Sequence, residues 1–142
     1  MIILDTDHLS ALQHRPGSGL FSLQARLEAF SPDDIATTAI TVEEQMRGWM
    51  AHIRRYSDVH QQVPSYERLI KLFDFFAQWQ ILPFDRMAAD TFTRLRSQGI
   101  RIGTMDLKIA SIVVVTGGTL LSANDRDFQQ IPGVRVENWL QP

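Results

Sequence analysis

Short, unbroken apolar runs that alternate with stretches of helical periodicity predict an α/β fold on a mostly parallel sheet. The opening Ile2-Ile3-Leu4 is continuously apolar, as expected of a strand covered on both faces. Comparable runs recur at Ile35 to Ile40, Ile81 to Phe84, Thr119 to Ala123 and Val134 to Val136. Helical patterns lie between them, so right-handed βαβ units are expected.

Asp5 ends the first strand. Leu20, Leu23, Leu27 and Phe30 then recur at helical spacing, and Ser31-Pro32 breaks that pattern ahead of the second strand. The next helix is expected to begin at Thr41 and run through Met46, Trp49 and Met50. Polar residues from Ser57 to Ser65 read as a connection, after which Leu69, Ile70, Phe73, Phe76 and Trp79 mark an amphipathic helix. Its aromatics, Phe73, Phe75, Phe76 and Trp79, suit a core or a dimer surface. Asp85 can cap a helix carrying Phe92 and Leu95, and Gly99 to Gly103 reads as a loop. Asp106 to Val115 is the most apolar helix, stopped by Gly117-Gly118. No repeat or linker interrupts the pattern, so residues 1–142 are expected to form one domain.

Composition narrows the function. Hydrophobic content of 44% and charged content of 21% are those of a folded chain. The absence of cysteine excludes disulfide scaffolds, zinc-thiolate sites and thiol catalysis, and is compatible with a reducing cytosol. MIILD is too short for a signal peptide's apolar core and lacks its basic start, and VVVTGG is too short to span a membrane. A cytoplasmic protein without a membrane segment is therefore expected. The formal net charge of −2 argues against simple adhesion to polyanions but leaves room for a nucleic-acid enzyme whose arginines are grouped.

Four acidic stations stand out: Asp5, Glu44, Asp106 and the Asn124-Asp125 step, each at the edge of an expected element. In open α/β sheets ligands bind outside the carboxyl ends of the strands, where these side chains can converge. Hard divalent cations such as Mg²⁺ and Mn²⁺ take oxygen ligands, so a carboxylate pocket suits them. Each station also has a plainer reading. Thr41-x-x-Glu44 is by itself a capping box, and Asp106 in a first helical turn offsets the macrodipole. Asp125 and Asp127 flank Arg126 in a turn, where aspartate is common. Asp5, directly after an apolar strand, leaves a charge at the core edge that needs a partner.

The strings LDTDHLS, AITVEEQMRG, RIGTMDLKIAS and LLSANDRDFQQIPGVRVENW resemble, in order, the successive motifs of PIN-domain ribonucleases, specifically the VapC-like toxins of toxin-antitoxin pairs. The resemblance covers nearly the whole chain. It implies a three-layer α/β/α sandwich with a parallel sheet of about five strands, and a Mg²⁺- or Mn²⁺-dependent endonuclease acting on RNA. It also implies a small antitoxin partner and a homodimer. Carried over position by position, the metal-binding acids fall on Asp5, Glu44 and Asp106, and the fourth site position on Asn124. Asp7 departs from the asparagine usual in the first motif, and either strengthens metal binding or caps the following helix. Glu43 precedes Glu44, so the choice of Glu44 rests on its spacing to Gly48. Asn124 is neutral, which leaves Asp125 or Asp127 to supply a fourth charge.

On this reading Asp5 and Asp106 are the principal ligands, Glu44 is a ligand or a base for the attacking water, and Asn124 positions a water. Thr6 and Ser122 are expected to orient carboxylates. Two groups of arginines, Arg47, Arg54 and Arg55, then Arg94, Arg96 and Arg101, flank the pocket in sequence as a candidate RNA track. His8, His14, His52 and His60 lack HExxH-type spacing, and Gly17, Gly19, Gly99, Gly103, Gly117 and Gly118 form no phosphate loop. Asp5-Thr6-Asp7 also resembles the nucleophile motif of haloacid-dehalogenase-like phosphatases, and an acid-rich βαβ domain resembles phosphoacceptor receivers. Both need a lysine near the phosphoryl group, and neither Lys71 nor Lys108 fits. A silent binding module is disfavoured because the three principal acids are intact.

Overall fold

The computed structural model describes residues 1–13 and 18–141; His14 and Gly17, set aside above, lie outside the described residues. Five strands form one parallel sheet: β1 (Ile2–Leu4), β2 (Ile35–Thr38), β3 (Gln80–Leu82), β4 (Thr119–Leu121) and β5 (Arg135–Glu137), in the order β3-β2-β1-β4-β5. The α/β fold expected from the alternation is thus present. Helices α1 (Thr6–Gln13), α2 (Ser18–Leu27), α3 (Ala39–Arg54), α4 (Val59–Phe76), α5 (Arg86–Ser97), α6 (Thr104–Thr116) and α7 (Asp125–Phe128) connect the strands.

The unbroken apolar character of β1 has the predicted cause. Ile3 packs with α5 and α6 through Leu95, Leu107, Ile109 and Val113, whereas Ile2 and Leu4 face Leu9, Leu23, Leu72 and Phe76 of α1, α2 and α4. Two cores on opposite faces of one sheet make the three layers. Helix α6 is the least amphipathic because it is nearly enclosed, with Leu107 through Val113 mostly buried except Lys108. Gly117 ends it with φ +77°, a left-handed cap that glycine adopts without a Cβ clash.

Two boundaries differ from the expectation. The second strand stops at Thr38, and α3 starts at Ala39 rather than Thr41. Thr38 is its N-cap: the Thr38 hydroxyl accepts the Thr41 N–H at 3.1 Å, so Thr41 and Glu44 form no capping box. The β-branched Ile40 reads as the end of the strand, but it lies in the first turn of the helix. The connection expected from Ser57 to Ser65 is instead mostly helix, since Asp58 caps α4 by accepting the His60 N–H at 3.0 Å. Pro64 lies inside α4 at the cost of one backbone donor. On α4, Phe76 is buried and Phe75 half-buried, but Val59, Val63, Tyr66, Ile70 and Phe73 are exposed in a stripe at three- and four-residue spacing.

Candidate active site

Strand order reverses at β1, with β2 and β3 on one side and β4 and β5 on the other. The crevice outside the carboxyl end of such a strand is the ligand-binding position of open α/β sheets. Asp5 is the first residue there. Pairing of Leu4 with Leu121 sets Ser122 beside it, although the two are 117 residues apart in the chain. The Asp5 carboxylate accepts the Thr6 N–H at 2.7 Å and the Ser122 hydroxyl at 2.8 Å. It is only 7% exposed. Burial, reinforced by the charges of Asp7 and Asp106, pushes its pKa up to about 7 despite both hydrogen bonds.

Glu44 stands in the second turn of α3, where its carboxylate accepts the Thr6 hydroxyl at 3.1 Å. Burial first, then the charges of Asp106, Glu43 and Asp7, raise it above the usual glutamate range. Asp106, in the first turn of α6, accepts the Asn124 side-chain amide at 3.0 Å. Burial and the Asp127 charge raise its pKa too. The same amide reaches Asp127 at 3.2 Å, so Asp127, not Asp125, is the acid linked to Asp106 through Asn124. Asp7 runs the other way: burial raises it, but hydrogen bonds from His8 and the Ala123 N–H outweigh that and hold it below the ordinary range.

Asp5, Glu44, Asp106 and Asn124 therefore meet at one sheet edge, where the Asp106 charge acts on both Asp5 and Glu44. Among the described residues no three acidic or imidazole side chains are arranged to grip an ion alone. An all-oxygen set of this kind fits a hydrated hard cation, because Mg²⁺ usually takes one or two carboxylates and completes its shell with water and substrate phosphates. Burial first and the neighbouring acids second raise all three carboxyls, and a bound cation would offset both.

The expected basic track is not what lines the neighbouring cleft. Arg47 pairs with Glu43 at 2.6 Å on an exposed face, and Arg96 lies over Phe92 and reaches Thr104 at 3.4 Å. A cleft of about 560 Å³ runs between α1, α3 and α4, and its cations are Arg68 and Lys71, beside Trp49 and His52. Gly48 leaves this wall open, since a Cβ there would meet nothing within 4 Å. Grouping by sequence position gathers only the arginines that flank the acids, and so leaves out Arg68 and Lys71, which α4 brings to the cleft. The buried His8, discussed below, gave only one signal, its place beside Asp7.

A parallel sheet in the order 3-2-1-4-5 with carboxylates gathered at its reversal point defines the class, an α/β protein of PIN architecture. The chain belongs to the PIN domain family, whose model matches residues 2–134. It is similar to Ribonuclease VapC2 of Rickettsia felis, with 33% identity over 73 residues, 49% of this chain and 54% of that protein. The match thus spans about half the length of that relative. Among solved structures it is similar to FitAcB from Neisseria gonorrhoeae, at 25% identity and a TM-score of 0.74 over 100% of both chains. It also shares its fold with VapBC2 from Rickettsia felis bound to a DNA fragment from their promoter, at 23% identity and a TM-score of 0.69 over 98% of this chain and 99% of that one. No helix among the described residues is long and apolar enough to cross a membrane.

Proposed function

We propose that the protein is a divalent-metal-dependent endoribonuclease that hydrolyses RNA phosphodiester bonds in the cytoplasm and acts as the toxin of a toxin-antitoxin pair. The observation that carries this reading is the meeting of Asp5, Glu44, Asp106 and Asn124 at the sheet's reversal point in a PIN-family chain. Mg²⁺ or Mn²⁺ held by Asp5 and Asp106 would supply a Lewis acid that polarises the phosphoryl group and acidifies a water. The chain's own residues supply the rest. Thr6 and Ser122 fix both oxygens of Asp5, and Asn124 fixes Asp106. Glu44 uses one oxygen toward Thr6, and its other oxygen accepts the proton of the attacking water as the oxygen–phosphorus bond forms and the bond to the leaving ribose oxygen breaks. The raised pKa of Glu44 makes it a better base.

A ribonuclease reading also accords with the name of the similar Rickettsia felis protein, Ribonuclease VapC2. Protein partners belong to the same reading: a cognate antitoxin and a second copy of the chain. The exposed apolar stripe of α4 is surface of the kind such contacts use. A phosphatase reading lacks its lysine, because the Lys108 ammonium lies over the Phe84 ring and Lys71 lines the cleft. The test is to incubate wild type and Asp5→Asn with total RNA, and with a phosphatase substrate, in Mg²⁺ and in chelator. Metal-dependent RNA cleavage by the wild type alone is expected. Chelator-resistant cleavage, or phosphatase activity without cleavage, would refute it.

A further inference from the structure

His8 is fully buried, yet both ring nitrogens are engaged. Its Nε2 accepts the Trp139 backbone N–H at 3.1 Å, so the ring's proton must sit on Nδ1, which faces Asp7 Oδ1 at 2.6 Å. The contact is therefore a hydrogen bond from a neutral imidazole rather than an ion pair. The other Asp7 oxygen accepts the Ala123 N–H at 2.8 Å. That peptide lies between Ser122, whose hydroxyl holds Asp5, and Asn124, whose amide holds Asp106. Asn124 closes the loop by donating its N–H to the Ser122 hydroxyl at 3.0 Å.

At the far end, the Trp139 ring is buried, packs on Phe30 at 5.7 Å and carries the Arg26 guanidinium at 4.2 Å. Leu140 lies so close to α2 that a Cβ on Gly19 would sit 2.9 Å from its carbonyl oxygen. The segment after β5 is thus anchored independently of the acids, and the imidazole joins it to them.

We propose that Asp7 and His8 are positioning residues: they tie the segment at Trp139 to the Ser122–Asn124 loop and so hold the Asp5 and Asp106 carboxylates in place. Asp7 then serves as a bracket and not as a ligand. The pair is chemically matched. An asparagine at position 7 offers one acceptor only, and once that meets the Ala123 N–H its amide donor confronts the Nδ1 proton. Turning the imidazole to the other tautomer moves the conflict to the Trp139 N–H. The functional half of this proposal rests on the nuclease reading, but the hydrogen-bond relay does not.

Two variants split the relay. His8→Asn keeps a donor near the Nδ1 position and gives up the acceptor for Trp139; His8→Gln keeps an acceptor near Nε2 and gives up the donor to Asp7. Three quantities are measured: the His8 tautomer in wild type by nitrogen NMR, Ala123 amide exchange in chelator, and Mn²⁺ affinity by calorimetry. The Nδ1–H tautomer is expected in wild type. His8→Gln, which cuts the link at Asp7, should lose Ala123 protection and about 10–100-fold in Mn²⁺ affinity, the range for removing a partner that orients a ligand, and His8→Asn, which cuts it at Trp139, should lose both to a smaller extent. The Nε2–H tautomer in wild type overturns the proposal even if neither variant folds, as do wild-type Ala123 protection and Mn²⁺ affinity in a folded His8→Gln. Wild type that binds no Mn²⁺ and cleaves no RNA would sink the nuclease reading and with it the carboxylate-positioning role, while the tautomer and exchange results still decide the relay.

Discussion

Asp5→Asn tests the site through stability before any substrate is added. The folded chain holds the Asp5 carboxyl at a pKa of about 7 against an ordinary 3.8. Without metal, the folded state keeps a proton there that the unfolded chain has released, so stability falls as pH rises from about 4 to about 7 and stays low above that. At about 1.4 kcal/mol per pH unit the difference amounts to roughly 4 kcal/mol, and relaxation of the pocket with water entry reduces it to about 2. Glu44 and Asp106 are raised as well and add to the same trend. Since about 1 kcal/mol moves the melting temperature of a chain this size by about 2–4 °C, and about two-thirds of the change lies between pH 5 and pH 8, wild type in chelator should melt roughly 3–6 °C lower at pH 8 than at pH 5. Asp5→Asn keeps an acceptor for Thr6, and the Ser122 hydroxyl can reverse to accept from the new amide. It should flatten most of the slope and melt above wild type at pH 8 in chelator. Saturating Mg²⁺ should reverse that order, adding about 3 kcal/mol to wild type at a hundredfold excess over its Kd and nothing to the variant. Thermal unfolding across this pH range, with and without Mg²⁺, reads all of this. Equal slopes for the two proteins in chelator would refute the burial argument, and an equal Mg²⁺ response would remove Asp5 from the metal site.

Three further outcomes are expected. Glu44→Gln should leave the melting temperature within a few degrees, because the amide oxygen still accepts from Thr6, while RNA cleavage falls about 100-fold or more, as for a lost general base; Glu43→Gln, which breaks only an exposed pair with Arg47, should leave cleavage nearly intact. Thr38→Ala should cost about 1 kcal/mol in denaturant unfolding through loss of the α3 N-cap, with Thr41→Ala milder, and the reverse order would restore the capping box at Thr41. Expression of the chain alone should arrest growth, and co-expression with a short neighbouring protein carrying an arginine-containing amphipathic tail should relieve it and yield a co-purifying complex; no toxicity together with no complex would count against the toxin role.

The parts of this molecule legible in the sequence are those set by local chemistry. An apolar run too short and too uniform for a surface strand marked β1, and a glycine pair marked the end of α6. Helix α1 is foreshadowed in the sequence only by Asp7 as a possible cap and is left without bounds, because most of the apolar surface of its eight residues is Leu9 and Leu12, and a histidine fills a core position. Such a helix is short of the length at which propensity alone supports it, and tertiary packing decides. The acids were visible as residues, but the plainer reading of Glu44 could be judged only once Thr38 took the cap. With the capping role assigned elsewhere, a half-buried carboxylate in the second turn of α3, facing two other acids, has no local structural reason to be there. The same logic separates Asp7 from Asp5, two residues apart in one motif. Register puts Ser122 beside Asp5 and the Ala123 N–H beside Asp7. Burial and the Asp7 charge leave the Asp5 carboxyl raised and ready to exchange its proton for a cation, whereas hydrogen bonds from His8 and the Ala123 N–H leave Asp7 lowered and already engaged. His8 belongs to LDTDHLS, but its Trp139 partner and the Ser122 and Ala123 donors lie more than a hundred residues away in the chain, and no spacing rule within that string contains them.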